Sequence, residues 1–405
     1  MSWRWAAAVS VALLLVVSPG LGAAGEPSRS RPLAVVAVVG ETGVDALHPE
    51  YRTRDGKDVA LPADIARRVV RVALPSRGSR EAREAALARS ALARPRVGTL
   101  YYVSGTRLLV YYATPKHTTG RQDAFHGTGT SSLAVGRTVG RAPESLAVAV
   151  VGYPQDSWTW VAAQRWIDVA SASTFDALTG LLCDSAAAVA RFRRSGHLPF
   201  VAAGNSFIET SVISPGSSPH AVRVGGVRSD GTSALPDSSD PTLYSGRAYD
   251  VGGLFTNRIA RAGSDGFTTA TGTSGSAPQV AGAAADVLAR LREAVGARDV
   301  GARGGALVRI SVRPDRGPLA DGALTADELL EVVLHQAVPR GTQPAGRYAV
   351  EGYGWFTHSA ADRAVAVLLG RQVDRTRPED DLAHQAAVAA RGAVAEAKQC
   401  ERLPF

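Results

Sequence analysis

Thr271-Gly272-Thr273-Ser274-Gly275-Ser276-Ala277-Pro278-Gln279-Val280-Ala281-Gly282 is a turn of small residues that runs straight into an apolar, periodic segment. Val280, Ala281, Ala284, Val287, Leu288 and Leu291 recur at i, i+3/i+4 spacing, the signature of a helix with one buried face. Pro278 is expected in the first turn, where a missing N–H costs nothing. Ser274 then stands at the helix N-terminus, among unpaired N–H groups and the positive end of the dipole, which suits stabilisation of an oxyanion. Read alone, the stretch fits a Ser/Thr/Gly cap on a core helix as well as it fits a nucleophile turn. The rest of the chain decides between them.

The chain has 405 residues, 45% of them hydrophobic, enough for one large α/β domain or two smaller ones. Its formal net charge of +8 is carried almost wholly by arginine, since the only lysines are Lys57, Lys116 and Lys398. The basic residues are scattered and not interleaved with aromatics, which reads as a solvated surface rather than a nucleic-acid site. Arg4, a mostly apolar run from Ala6 to Val17, the break at Pro19-Gly20 and the small residues Gly22-Ala23-Ala24 form a secretory signal over residues 1–24. The run is short for a transmembrane helix and no later segment is apolar enough to span, so the mature chain is expected to be secreted with no integral membrane segment. Cys183 and Cys400 both fall in the exported part. One disulfide between them, or two separate thiols, accounts for the pair. No convincing metal-ligand cluster is present, and no cofactor is expected.

Leu33 to Val39 is a continuous apolar run, as in a parallel strand buried on both faces, and it ends in Gly40-Glu41-Thr42-Gly43-Val44-Asp45 followed by His48-Pro49. A carboxylate at the C-terminal end of such a strand is where α/β folds place their chemistry. Residues 80–93 read as a helix, and 99–103 with 106–113 as a hairpin turning at Ser104-Gly105. His126-Gly127-Thr128 opens a small-residue helix. Further strands are expected at 146–153, 167–172, 198–205, the last ending in the exposed amide of Asn205, and 222–227, alternating with helices at 158–166 and 181–194. Alternation of this kind argues for a mostly parallel sheet with helices on both faces. Thr325 and Glu328 form a capping-box pattern opening a helix to about residue 338, and 359–369 is a last domain helix. Residues 371–405 read as a linker and a helical tail.

Acyl transfer by serine needs a base, a carboxylate to orient it, and donors for the oxyanion. The chain offers Glu41, His126, Asn205 and Ser274 in that order, each at a strand end or a helix start. On these motifs the chain resembles the subtilisin-like serine peptidases. Glu41-Thr42-Gly43-Val44-Asp45 with His48-Pro49 resembles the family's aspartate motif, His126-Gly127-Thr128 its histidine motif, Ala202-Ala203-Gly204-Asn205 its asparagine motif, and Gly272 to Pro278 its serine motif. Gly352-Tyr353-Gly354 and the Ala-rich segment after it resemble the family's closing turn and helix. The resemblance implies a three-layer α/β sandwich over residues 25–370. It also implies a secreted endopeptidase acting on polypeptides, with nucleophile Ser274, general base His126, orienting carboxylate Glu41, and Asn205 beside the oxyanion. Ser171, Ser173, Ala203 and Gly204 are the expected flanks of the substrate. Structural calcium is common in such proteins, but no ligands for it stand out here.

Three departures are visible. Glu41 stands where the family carries aspartate, one methylene shorter. Gln279 stands where histidine is usual. The separation of Glu41 from His126, 126 − 41 = 85 residues, is long, so residues 51–115 are expected to be an insertion, a helix and hairpin on the cleft rim that could dock a partner. The departure at Glu41 also leaves open a second expectation, a catalytically impaired member of the fold that serves as a binding or scaffold module.

Overall fold

A computed structural model of the chain describes residues 33–75, 78–114, 124–174, 185–205, 215–234, 245, 249–338, 352–375 and 378–397. The predicted signal segment and both cysteines, Cys183 and Cys400, lie outside the described residues.

The first apolar run forms β1 (Val35–Glu41), buried along its whole length. It is followed by α1 (Ala63–Ala66), β2 (Val70–Val72), α2 (Arg80–Leu87), β3 (Leu100–Val103) and β4 (Leu108–Tyr112). Next come α3 (Phe125–Val135), β5 (Leu146–Val151), α4 (Pro154–Ala162), β6 (Val169–Ala172), α5 (Ala186–Arg194), β7 (Leu198–Ala202), β8 (Val222–Val227) and β9 (Val251–Leu254). The hairpin β10 (Thr256–Ala260) and β11 (Phe267–Thr271) leads into the long helix α6 (Thr273–Ala294). A small pair, β12 (Ala306–Arg309) with β13 (Ala323–Thr325), then precedes α7 (Ala326–Gln336), α8 (His358–Leu368) and α9 (Pro378–Ala397).

Nine strands make the central sheet in the order β2-β3-β4-β5-β1-β6-β7-β8-β9, and every neighbouring pair is parallel except β3 with β4. The pleat sorts each strand between two cores. Ala34, Val36 and Val38 pack with α3, α6 and α8 on one face, while Val35, Ala37 and Val39 pack with α4 and α5 on the other. This is the expected three-layer α/β sandwich, and it explains why β1 and β5 read as unbroken apolar runs.

The insertion departs from its expected placement. Its hairpin does not stand on the rim: β4 pairs in parallel with β5 inside the main sheet, and β3 and β2 continue that sheet outward. Helix α2 does reach the rim, where Arg80 bonds Asp45, Asp265 and Glu84, and Arg83 bonds Asp265 and the carbonyl of Leu47. Thr325 and Glu328 make the expected reciprocal capping box. At the C-terminus, α9 packs back on the rest of the fold. Arg391 is buried against Asp250, and Asp381 accepts from Tyr353 Oη and pairs with His335. Asp374 and Asp381 hold His335 high, at about 9, by hydrogen bonding that outweighs its burial. Asp250, fully buried, is held well below the usual carboxylate range by Arg391 and Arg223 despite its desolvation.

Asp168, just before β6, and Arg292 of α6 are both 0% exposed and joined by two bonds of 2.9 and 2.7 Å. Asp168 also accepts from the N–H groups of Val35 and Gly301, and Arg292 donates to the carbonyls of Leu33 and Leu307. Breaking such a pair strands a buried charge, so Arg292→Met is expected to cost about 3–5 kcal/mol. Denaturant unfolding of the two chains checks this.

Candidate active site

The carboxylate comes from the end of β1. There the register against β5 shifts between Val39 and Glu41, with Gly40 at φ 76° as the extra residue. This is a bulge built on a left-handed glycine. A Cβ on Gly40 would stand 2.5 Å from Thr174 Oγ1, whose hydroxyl donates to the Gly40 carbonyl. The turn after Glu41 lies directly on the start of α3, because a Cβ on Gly127 would fall 2.1 Å from the Gly43 carbonyl oxygen. That contact brings the Glu41 carboxylate under His126. Glu41 Oε2 sits 2.6 Å from His126 Nδ1, and Glu41 Oε1 accepts from Thr130 Oγ1 at 3.0 Å. Glu41 is 0% exposed, while the His126 side chain keeps 38% of its surface. The pairing places the imidazole proton on Nδ1 and leaves Nε2 with a lone pair. The charge of Glu41 raises the His126 pKa above its ordinary value, against the burial that lowers it, and the hydrogen bond adds to the rise.

The serine comes from α6. Gly272, at φ 143°, ends β11 and caps the helix, so Ser274 is its second residue. The sequence expectation for Pro278 is corrected here, since it lies inside the helix and beyond the first turn. Lacking an N–H, Pro278 leaves the Ser274 carbonyl without its i+4 donor. The hydroxyl of Ser173 supplies the missing bond, donating to that carbonyl at 3.0 Å. The Ser274 hydroxyl makes a long bond of 3.5 Å to the Ser173 carbonyl. Among the described residues, no hydrogen bond joins Ser274 to His126. Hydrogen bonds of this kind are often loose before substrate arrives. Helices α3 and α6 are locked together where a Cβ on Gly282 would meet the Ala134 carbonyl oxygen at 2.4 Å.

Asn205 follows β7 and turns its side chain to the same helix start. Its Oδ1 accepts from Thr273 N at 2.8 Å and from Thr273 Oγ1 at 2.9 Å, and its Nδ2 approaches Gly272. With the acceptor end committed to Thr273, the amide N–H pair is the end left to meet an oxyanion. Gly204, at φ 87°, carries the chain into this turn, and Ala203 N donates to the Val224 carbonyl. Of the expected substrate flanks, Ser171 is corrected: it is 0% exposed inside β6 and offers no surface to a ligand. Ser173 serves α6 through its bond to the Ser274 carbonyl.

Other parts of the motifs have structural work. Asp45 accepts from the N–H groups of Leu47 and Gly263 and from Arg80, so it is engaged away from His126. His48 accepts from Glu50 N on Nδ1, so its Nε2 donates to the Gly266 carbonyl at 2.9 Å. Gln279 is buried and donates to Asn257 Oδ1 at 2.7 Å, which fastens α6 to β10. Sequence reasoning missed Thr130 and the Ser173–Pro278 relation. The first is hidden in a Ser/Thr-rich helix, while the second is signalled by a proline four residues after the serine. Among the described residues, no group of three or more His, Cys, Asp or Glu side chains could hold a metal, and no helix is long and apolar enough to cross a membrane.

Residues 34–302 match the model of the Subtilase family. Among solved structures, the chain is similar to the protease domain of PatA, at 15% identity over 84% of this chain and 97% of that chain, with a TM-score of 0.50. It is also similar to a lanthipeptide protease, at 16% identity over 83% and 90% of the two chains, with a TM-score of 0.50. At such identities these likenesses speak for the fold. No curated protein matches the chain.

The pairing of His126 with Glu41 has a consequence that does not depend on turnover. Because the folded pKa of His126 is raised above 6.5, the pair stabilises the fold fully below that value and the contribution is lost as pH rises through the folded pKa. Glu41→Gln removes the charge, and the His126 titration followed by NMR is expected to move to lower pH than in the native chain.

Proposed function

The chain belongs to the subtilase family, and on that premise we propose that it is a serine endopeptidase working through Ser274, His126 and Glu41. In this reading Ser274 Oγ attacks the scissile carbonyl, His126 Nε2 takes its proton, and Glu41 holds the imidazole and balances the imidazolium that forms. Asn205 Nδ2 and the N–H of Ser274 at the helix start receive the oxyanion, each such donor contributing about 3–4 kcal/mol to transition-state stabilisation. One observation carries the proposal: a buried carboxylate 2.6 Å from the imidazole Nδ1, on elements packed against the helix that opens with Ser274. Glutamate serves here because the bulge at Gly40 adjusts the strand end to the longer side chain. The substrate is a polypeptide.

The insertion is proposed to take part in selecting that polypeptide or docking a partner. It is supported by a mainly apolar cavity of about 300 Å³ between α2, β4 and the Val44–Leu47 turn, reaching Ala124 just before His126. Export is proposed from the signal-like residues 1–24, and a Cys183–Cys400 disulfide from the even pair in the exported part.

Ser274→Ala is expected to abolish covalent labelling of the purified full chain by a fluorophosphonate while leaving its circular dichroism and unfolding transition unchanged. Labelling that persists in the variant would remove Ser274 from the reaction. A native chain that never labels would favour the binding-module reading instead. For the cysteines, thiol titration of the denatured, unreduced secreted chain is expected to find none free. Closing a loop of 400 − 183 = 217 residues is worth on the order of 4–5 kcal/mol in the chain-entropy model, so reduction should lower the melting temperature.

A further inference from the structure

We propose that Thr130 is a positioning residue: its hydroxyl holds the second oxygen of Glu41 and, through it, sets the orientation and basicity of His126. The inference rests on the reading of Glu41, His126 and Ser274 as the catalytic groups.

Thr130 lies one helical turn after His126 on α3, on the same face, and is 4% exposed. Its Oγ1 is 3.0 Å from Glu41 Oε1, 3.0 Å from the His126 carbonyl oxygen and 3.2 Å from that of Gly127. A hydroxyl has one proton for these three acceptors. If the proton went to a backbone carbonyl, Oγ1 and the ionised Oε1 would face each other lone pair to lone pair, with Glu41 0% exposed. A buried acceptor left without its donor is costly, and a hydrogen bond to a carboxylate is stronger than one to a neutral carbonyl. The proton therefore belongs to Glu41. Both carboxylate oxygens are then committed, Oε2 to His126 and Oε1 to Thr130, and the plane of the group is fixed from two sides. An aspartate at position 41 would end about 1.5 Å short and could not keep both contacts.

The other charged groups around α3 are engaged elsewhere. Asp45 is held by Arg80 and Gly263 N, and Glu50 by the N–H groups of Thr138 and Val139. Tyr51 donates to the Thr128 carbonyl. Arg107 and Arg141 donate to the Val135 carbonyl and to Gln279. The Thr130 hydroxyl matters most when the Glu41 charge is unbalanced, that is, when His126 is neutral. Its removal penalises neutral His126 more than the imidazolium, so the histidine becomes harder to deprotonate and the acid limb of the rate profile moves to higher pH.

The test compares the native full chain with Thr130→Val, Thr130→Ser, Glu41→Asp and the Glu41→Asp/Thr130→Val double variant. Two readouts are taken: the rate of Ser274-dependent fluorophosphonate labelling against pH, and the NMR titration of His126. Thr130→Val keeps the shape of the side chain, so unfolding curves should match the native chain's within the loss of one hydrogen bond. The maximal labelling rate is expected to fall roughly tenfold with little change in half-saturation, as for a misplaced catalytic group. The His126 titration should rise by about half a pH unit on losing that hydrogen bond. Thr130→Ser should restore both, and in the Glu41→Asp background Thr130→Val should add no further loss. An unchanged His126 titration in Thr130→Val, or an equal loss in the Glu41→Asp background, overturns the proposal. A native chain that does not label overturns the catalytic reading alone, because the NMR comparison still decides whether Thr130 acts on His126 through Glu41.

Discussion

The site depends on two contacts in which backbone meets backbone. At Gly127 the turn after β1 rests on the first residues of α3, and at Gly282 helix α6 rests on the Ala134 carbonyl. Neither contact tolerates a Cβ, so the separations between the elements carrying Glu41, His126 and Ser274 are set by main-chain thickness rather than by side chains that could repack. Packed interiors transmit displacement instead of absorbing it. A side chain forced in at either glycine would therefore move one of the three groups against the others, even though neither glycine belongs to the three.

Two buried ion pairs are arranged differently from the candidate site. Asp168 with Arg292, and Asp250 with Arg391, are sealed from water and supplied with additional hydrogen bonds. The first joins β1 and the residue before β6 to α6, the second joins α9 to the residue before β9. The imidazole of His126 keeps substantial exposure while its partner Glu41 has none. The carboxylate is thus fixed and dry, and the imidazole is reachable.

Legibility in the sequence followed the range of the interaction. β1 and β5 could be read because a strand covered on both faces needs an unbroken apolar run. The hairpin of residues 99–113 could be read from its turn, but its place inside the sheet could not, since pairing of β4 with β5 is settled by contacts between strands far apart in the chain. Pro278 was misplaced by one turn because Gly272, at its strained φ, starts the helix earlier than the apolar period suggests. Glu41, His126, Asn205 and Ser274 were found through motif order, and the structure brings Glu41 to His126 and Asn205 to the start of the Ser274 helix. Ser171 and Ser173 are indistinguishable in sequence, and the position of each along β6 and the turn after it decides which one is buried and which one serves α6. Asp168 and Arg292 carry no local signal at all.

Counting along β1 gives the bulge at Gly40 a meaning beyond its fit to a longer side chain. Val35, Ala37 and Val39 face the layer of α4 and α5, and strict alternation would send residue 41 to that same layer. Glu41 instead meets His126 and Thr130 on α3, across the sheet. The extra residue changes odd to even: it hands the last side chain of the strand to the opposite face. The charge of the site is therefore addressed by parity: were Gly40 paired in ordinary alternation, the carboxylate would point into the apolar layer of α4 and α5.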